Sequence, residues 1–253
     1  MGKYLAGEFY KMLHRKYFYL TVAVLLGLET LLVILWSWMN GVGDGMSHIT
    51  GPDGFTMILW MLSVGYFASI LICDMVFSEQ YKHNTLKNEV SFGLPRSRIY
   101  LGKLVVEALV SIVLCALVFL WYGVLCFFLL PGGGDWAAAL GDVGFGILAA
   151  LPAWMACLAF MHMLFFLMRG TTAAAMIAAV MVTMAGQLLQ ALAMMVDKGF
   201  LVLYRLLFTS PLDGIMDRLG DWPTVGWSWA VGGGWVLVTT AIGLTAFRKK
   251  EIS

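Results

Sequence analysis

The chain has 253 residues and a net charge of +1, is 61% hydrophobic and only 12% charged, and has a mean hydropathy of +0.86. Soluble domains carry about a quarter charged residues, and a water-soluble fold of this size cannot hide so much apolar surface. The composition excludes a soluble enzyme or nucleic-acid binder and indicates an integral membrane protein. Cys73, Cys115, Cys126 and Cys157 all fall within hydrophobic runs with no CxxC spacing, so they read as small buried hydrophobes, and no disulfide framework or metal site is expected.

In residues 1–16, Leu5, Phe9, Met12 and Leu13 recur at helical spacing, with Lys3, Glu8, Lys11 and Arg15 on the opposite face. This pattern predicts an amphipathic helix lying in the interface, cations towards the headgroups; the alternative is a disordered basic tail. No small-residue cleavage pattern follows the first hydrophobic run, so a cleavable signal peptide is not expected.

Six runs are long enough to cross a bilayer: 17–39, 55–76, 104–130, 143–168, 171–196 and 226–247. The fourth and fifth are divided only by Arg169-Gly170. Thirteen of the sixteen Lys and Arg residues lie at the N-terminus, in 77–103, at Arg169 and in the tail; the loops 40–54, 131–142 and 197–225 hold three. By the positive-inside rule both termini are expected in the cytoplasm of a multi-pass cell-membrane protein. In the last outer loop, the apolar segment 200–208 is too short to span and reads as a re-entrant or interfacial element. Ser210-Pro211-Leu212-Asp213 reads as a helix start, with Asp221-Trp222-Pro223 as its end. The expected architecture is all-α, one membrane domain over 1–253: amphipathic helix 1–16, six-helix domain 17–247 and tail 248–253.

Ionisable and amide groups within spans are costly and face protein or water. Glu29 lies midway along the first span, as a solvated pathway residue or an interhelical contact. Asp74 and Glu107 are placed at the headgroup boundary, within reach of Lys82 or Lys103. His162 reads as a packed, hydrogen-bonded histidine, since no metal-type partner lies at i+3 or i+4. Gln187 and Gln190 share a face of the fifth span and either join helices or line a cavity. Glu29, His162, Gln187 and Gln190 are the candidate pathway residues. Ala149, Ala153 and Ala156, then Ala174, Ala178 and Ala185, form small faces for close helix packing, and Gly232-Gly233-Gly234 is expected to open the sixth span. The motifs HExxH, GxSxG and the phosphate-binding loop do not occur, so this chain alone is not expected to hydrolyse ATP.

The polar interruption 77–103 carries five of the sixteen cations. Ser78–Asn88 can continue the second span as a helix, Gly93 and Pro95 break the chain, and Ser97 is a candidate cap for the next helix. A short helix hung between two stiff supports transmits force well; an ordinary solvated loop is the alternative. Phe77-x-Glu79, Thr85-Leu86-Lys87, Pro95-Arg96-Ser97-Arg98 and Gly102-Lys103 together resemble the segment after the second span of ABC transporter type-2 permeases. The architectural resemblance covers essentially the whole chain, the motif residues 77–103, and Asn84 departs from the glycine that often precedes Thr-Leu.

The resemblance implies a coupling helix near Thr85–Phe92 that an ABC ATPase subunit pushes, with Thr85, Leu86, Lys87 and Phe92 in that role. It implies that Glu79 and Arg96 brace the loop, while Arg98 and Lys103 contact the ATPase or lipid headgroups. ATP and Mg2+ would sit on the partner ATPase, with no cofactor on this chain, and two permeases, copies or paralogues, would pair with two ATPases. The implied cargo is an amphipathic or antimicrobial peptide, as in lantibiotic self-protection, ahead of small drugs or lipid-linked cargo. Readings of another class are a membrane-embedded enzyme using Glu29, His162 or Asp74, and an immunity protein that binds a toxic peptide without moving it.

Overall fold

The structure, a computed structural model, describes residues 2–42, 48–83, 85–168 and 171–250, with the side chains of 78–83 and 85 outside that description. Asn84 and Arg169, and the side chains of Glu79, Lys82 and Thr85, therefore lie outside the described residues. Among the described residues the chain is helical, with no strand.

Helix α1 (Gly2–Leu13) leads into α2 (Lys16–Val42); α3 (Gly51–Thr56) and α4 (Val64–His83) follow, then the short α5 (Thr85–Ser91). The long helices α6 (Arg96–Leu129) and α7 (Trp136–Leu167) precede α8 (Thr171–Thr183), α9 (Ala185–Met195), the short α10 (Phe200–Arg205) and α11 (Trp222–Lys249). Four of these, α2, α6, α7 and α11, are long and apolar enough to cross a membrane unbroken. The pairs Gly51–Met61 with Val64–Phe77 and Thr171–Thr183 with Ala185–Met195 qualify as further spans if each bent pair counts as one, giving four to six crossings. The protein is an all-α, multi-pass membrane protein.

The bends fall within the runs expected at 55–76 and 171–196, and each has a local cause. The first pair turns by 61°, starting at Gly51 behind a Thr50–Asp53 capping box. At its break, Gly65 N–H and Tyr66 N–H bond three residues back, to Leu62 O and Ser63 O. Trp154 Nε1 also donates to Leu62 O at 2.9 Å, and its ring lies against Gly65, where a Cβ would collide with it. The second pair turns by 45° just after Thr183, whose hydroxyl bonds Ala179 O one turn back (2.8 Å), a contact that tends to bend helices.

Helix α7 is the centre of the bundle. Two thirds (67%) of its apolar window is buried, against 6% for α2, which lies at the edge. Its Ala149, Ala153 and Ala156 are fully buried, and it packs most extensively on α11. Pro152 inside α7 cannot donate to the carbonyl one turn earlier, at Leu148; Trp229 Nε1 of α11 donates there instead (3.1 Å). Ser228 Oγ donates to the next carbonyl, Ala149 O, at 2.5 Å. Gly232 lies so close to Pro152 that a Cβ would sit 2.5 Å from its carbonyl oxygen. Gly232-Gly233-Gly234 therefore lies within α11 and does not open it: the helix starts at Trp222-Pro223. Proline is pre-set for a first turn, so the segment expected to end a helix begins one.

Before α11, α10 and two 3₁₀ turns, Ser210–Leu212 and Ile215–Arg218, replace the helix expected to start at Ser210. Carbonyls at the end of α10 and just beyond it are satisfied by side chains: Trp227 donates to Arg205 O (3.2 Å), Trp235 to Leu206 O (2.7 Å) and Tyr66 to Phe208 O (3.2 Å). Irregular backbone packed against apolar helices needs such partners.

Candidate functional site

The polar interruption forms a braced lever. Helix α5 hangs between α4 and α6, with Leu86, Val90 and Leu94 packed inward and Lys87, Asn88 and Ser91 exposed. Gly93, at φ +81°, turns the chain, and Pro95 precedes α6, which starts at Arg96 and has no side-chain cap from Ser97. Phe92 at the tip is 87% exposed, an unusual position for a phenylalanine. Leu86 is thus part of the inward face, and the outward face is Lys87, Phe92 and, at the start of α6, Arg98.

A buried ion cluster ties α5 to α1 and α6. Lys103 Nζ lies 2.7 Å from Glu8 Oε2 and 3.5 Å from Glu89 Oε1. Lys11 Nζ bridges the same two carboxylates at 2.6 and 3.2 Å, and Tyr4 OH donates to Glu89 Oε2 at 3.1 Å. Gly102 makes room for this, since a Cβ there would sit 2.6 Å from the Tyr4 ring. Lys103 has no exposed surface, so it cannot contact a partner or a headgroup as expected; its charge is committed within the chain. Burial alone would raise the Glu8 pKa, but the charge of Lys103 and the hydrogen bonds from Lys103 and Lys11 hold it below its ordinary value. For Lys11, burial is likewise outweighed by Glu8 and Glu89, and its pKa is raised.

Arg96 braces the other side. Its Nη1 lies within 2.8 Å of the carbonyls of Phe247, Arg248 and Lys250 at the end of α11, a position where a cation also meets the helix dipole. The lever is therefore attached to α1, α4, α6 and α11. Glu8, Tyr4 and Glu89 were not apparent in the sequence. Glu8 falls on the polar side of the helical wheel, yet it is 4% exposed because Lys103 and the segment leading into α6 cover that side.

Above the lever, Glu107 and His162 form a buried pair, Nδ1 to Oε2 at 2.8 Å, both without exposed surface. His162 Nε2 faces Tyr100 O at 3.1 Å, and Cys73 Sγ contacts the same Glu107 oxygen at 3.4 Å. Two acceptors around one imidazole require two protons in the pair, as imidazolium with carboxylate or imidazole with carboxylic acid. Phe77, Tyr100 and Phe166 enclose the ring. Glu107 thus pairs with His162 and not with a lysine at the headgroups, and His162 is a packed helix-joining residue. Asp74 interacts with the Thr171 hydroxyl and the Arg15 charge, while Lys103 is turned elsewhere.

A cavity of about 370 Å³ lies between α2, the first bent pair, α6 and α7, and Glu29 is in its wall. The lining is otherwise almost wholly apolar. Gln187 is exposed on α9 and Gln190 interacts with Tyr204; neither lines this cavity. Of the four candidate pathway residues, the structure brings only Glu29 to it.

No curated protein matches the chain. Residues 4–186 match the sequence profile of a family described as ABC-2 family transporter protein. The match runs from α1 into α9 and includes the lever, its ion cluster and the cavity, well over half of the 253 residues. The chain belongs to the ABC-2 transporter family, as a membrane permease subunit whose family implies partnership with an ABC ATPase.

Proposed function

We propose that this permease exports amphipathic or antimicrobial peptides from the membrane, driven by ABC ATPases that push on α5. The observation that carries the drive is Phe92, 87% exposed at the tip of a lever whose base is fixed by the Glu8–Lys103–Glu89 cluster. A large apolar side chain held out on a rigid mount suits a pocket on a partner. The cation-rich side, with thirteen of the sixteen Lys and Arg residues, faces the cytoplasm in this reading. Lys87 and Arg98 flank Phe92 as exposed cations, and ATP and Mg2+ are held by the partner. Two permeases and two ATPases form the working unit. The apolar cavity, with one carboxylate in its wall, supports an amphipathic cargo in preference to an ion.

The test is transport by the permease–ATPase complex in proteoliposomes. Replacing the outward-facing Lys87 and Phe92 with Asp is expected to uncouple ATP hydrolysis from peptide export while the helical content of the chain stays intact. Normal export by that variant would refute the assignment of α5.

A further inference from the structure

The cavity beside Glu29 has an unmatched polar inventory. Five side chains bring oxygen or nitrogen to its wall: Glu29, Ser69, Ser111, Tyr122 and Trp154. Three are already committed to backbone carbonyls. Ser69 Oγ donates to Gly65 O (2.9 Å), Tyr122 OH to Gly54 O (2.6 Å) and Trp154 Nε1 to Leu62 O (2.9 Å). Glu29 Oε2 and Ser111 Oγ are shielded from solvent and have no hydrogen-bond partner among the described residues. Ser111 shares this with Thr240 of α11 but not with Thr30, Thr183 and Thr245, whose hydroxyls return to the carbonyl one turn back; of the two, only Ser111 lines this cavity. No Lys, Arg or His lies among the described lining residues. An ionised carboxylate in such a wall is costly without a counter-charge.

We propose that this cavity binds the ammonium group and apolar stem of a cationic amphiphile, with Glu29 as counter-ion and Ser111 as hydrogen-bond partner. The ammonium supplies the counter-charge that the Glu29 carboxylate lacks, the Ser111 hydroxyl turns from its shielded position to accept from it, and the stem lies along the apolar wall. A dry apolar cavity of about 150 Å³ takes up benzene; about 370 Å³ admits a single amine-bearing segment of the cargo and not a folded peptide. This deepens the permease reading and rests on it, since it names the chemistry that the cargo presents to the pathway.

The probe is a photoreactive dodecylamine, compared with the matching photoreactive dodecanol, on the full-length permease–ATPase complex in lipid nanodiscs. Labelled peptides are mapped by mass spectrometry. The amine is expected to label α2 and α6 around Glu29 and Ser111. Glu29→Gln, nearly isosteric, is expected to weaken amine labelling about 10- to 100-fold and to leave alcohol labelling unchanged. Ala68→Leu, which fills the cavity and keeps the carboxylate, is expected to weaken both. Equal amine labelling of the parent and Glu29→Gln would overturn the proposal, as would labelling confined to other helices. ATP-driven peptide export is measured on the same samples: export with no amine labelling at Glu29 removes this site and keeps the permease reading. Amine labelling at Glu29 with no ATP-dependent export keeps the site and removes the peptide-export reading.

Discussion

Lys103→Met isolates what the buried cluster does. In the parent, Glu8, Glu89, Lys11 and Lys103 balance two negative and two positive charges, with Lys103 fully buried and the carboxylates only 4% and 11% exposed. Removing one partner of a buried ion pair costs about 3–5 kcal/mol, because the other charge stays buried. Lys11 remains 2.6 Å from Glu8 and, although 52% exposed, still offsets part of its charge, so the lower end, about 3 kcal/mol, applies. At 1.4 kcal/mol per tenfold, local opening of α1 from the lever should become roughly 100-fold more populated. Hydrogen exchange of α1 and α5 amides in nanodiscs reads this directly, with α7 amides as the unaffected reference. Glu8→Leu combined with Lys103→Met removes one charge of each sign and should recover most of the protection, since apolar replacement of a buried pair is often nearly neutral. Unchanged α1 exchange in Lys103→Met would refute the clamp. A double variant as open as the single one would show that packing, and not charge, holds α1 in place.

Two further outcomes follow from the same geometry. Arg96→Lys keeps the charge but is shorter than the guanidinium whose Nη1 reaches three carbonyls at the end of α11; it should cost about 1–3 kcal/mol and speed exchange in the last turn of α11. The clamp should also have a defined pH range. Glu8 is held below its ordinary 4.5, so its contribution is present above that value and lost as the pH falls through its lower folded pKa. Lys11 is held above its ordinary 10.5, so its contribution is full below that value and lost only as the pH rises through its higher folded pKa. The protection factor of α1 amides, that is exchange corrected for its intrinsic pH dependence, should therefore be flat from about pH 5 to 10 and fall below about pH 4.

Hydropathy made the membrane helices legible because a bilayer imposes length and apolarity on each span. The lever was legible too, since Gly93 and Pro95 interrupt an otherwise helical stretch between two apolar runs. What the sequence could not reveal were contacts that depend on distant chain segments. Glu8 and Lys103 are 95 residues apart in sequence, and a helical wheel assigns Glu8 to solvent because it has no information about the segment that covers it. The 61° bend at Leu62 depends on Trp154, whose ring occupies the space over Gly65. Glu29 stood out as a lone carboxylate, but its unpartnered companion Ser111 is an ordinary residue whose significance lies in the bond it does not make. His162 was legible as a packed residue, its partner Glu107 only as a carboxylate near a helix end.

The central claim is that α5 is where a cytoplasmic ATPase drives this permease. It is tested most directly by placing benzoylphenylalanine at Phe92 in cells and irradiating intact membranes, with Leu120 of α6, exposed on the same helix system, as the control site. The account predicts one dominant adduct from position 92, to a protein that carries a phosphate-binding loop, with a yield that changes when ATP is depleted, and none from position 120. Adducts from position 92 only to lipid or to extracytoplasmic proteins would contradict it.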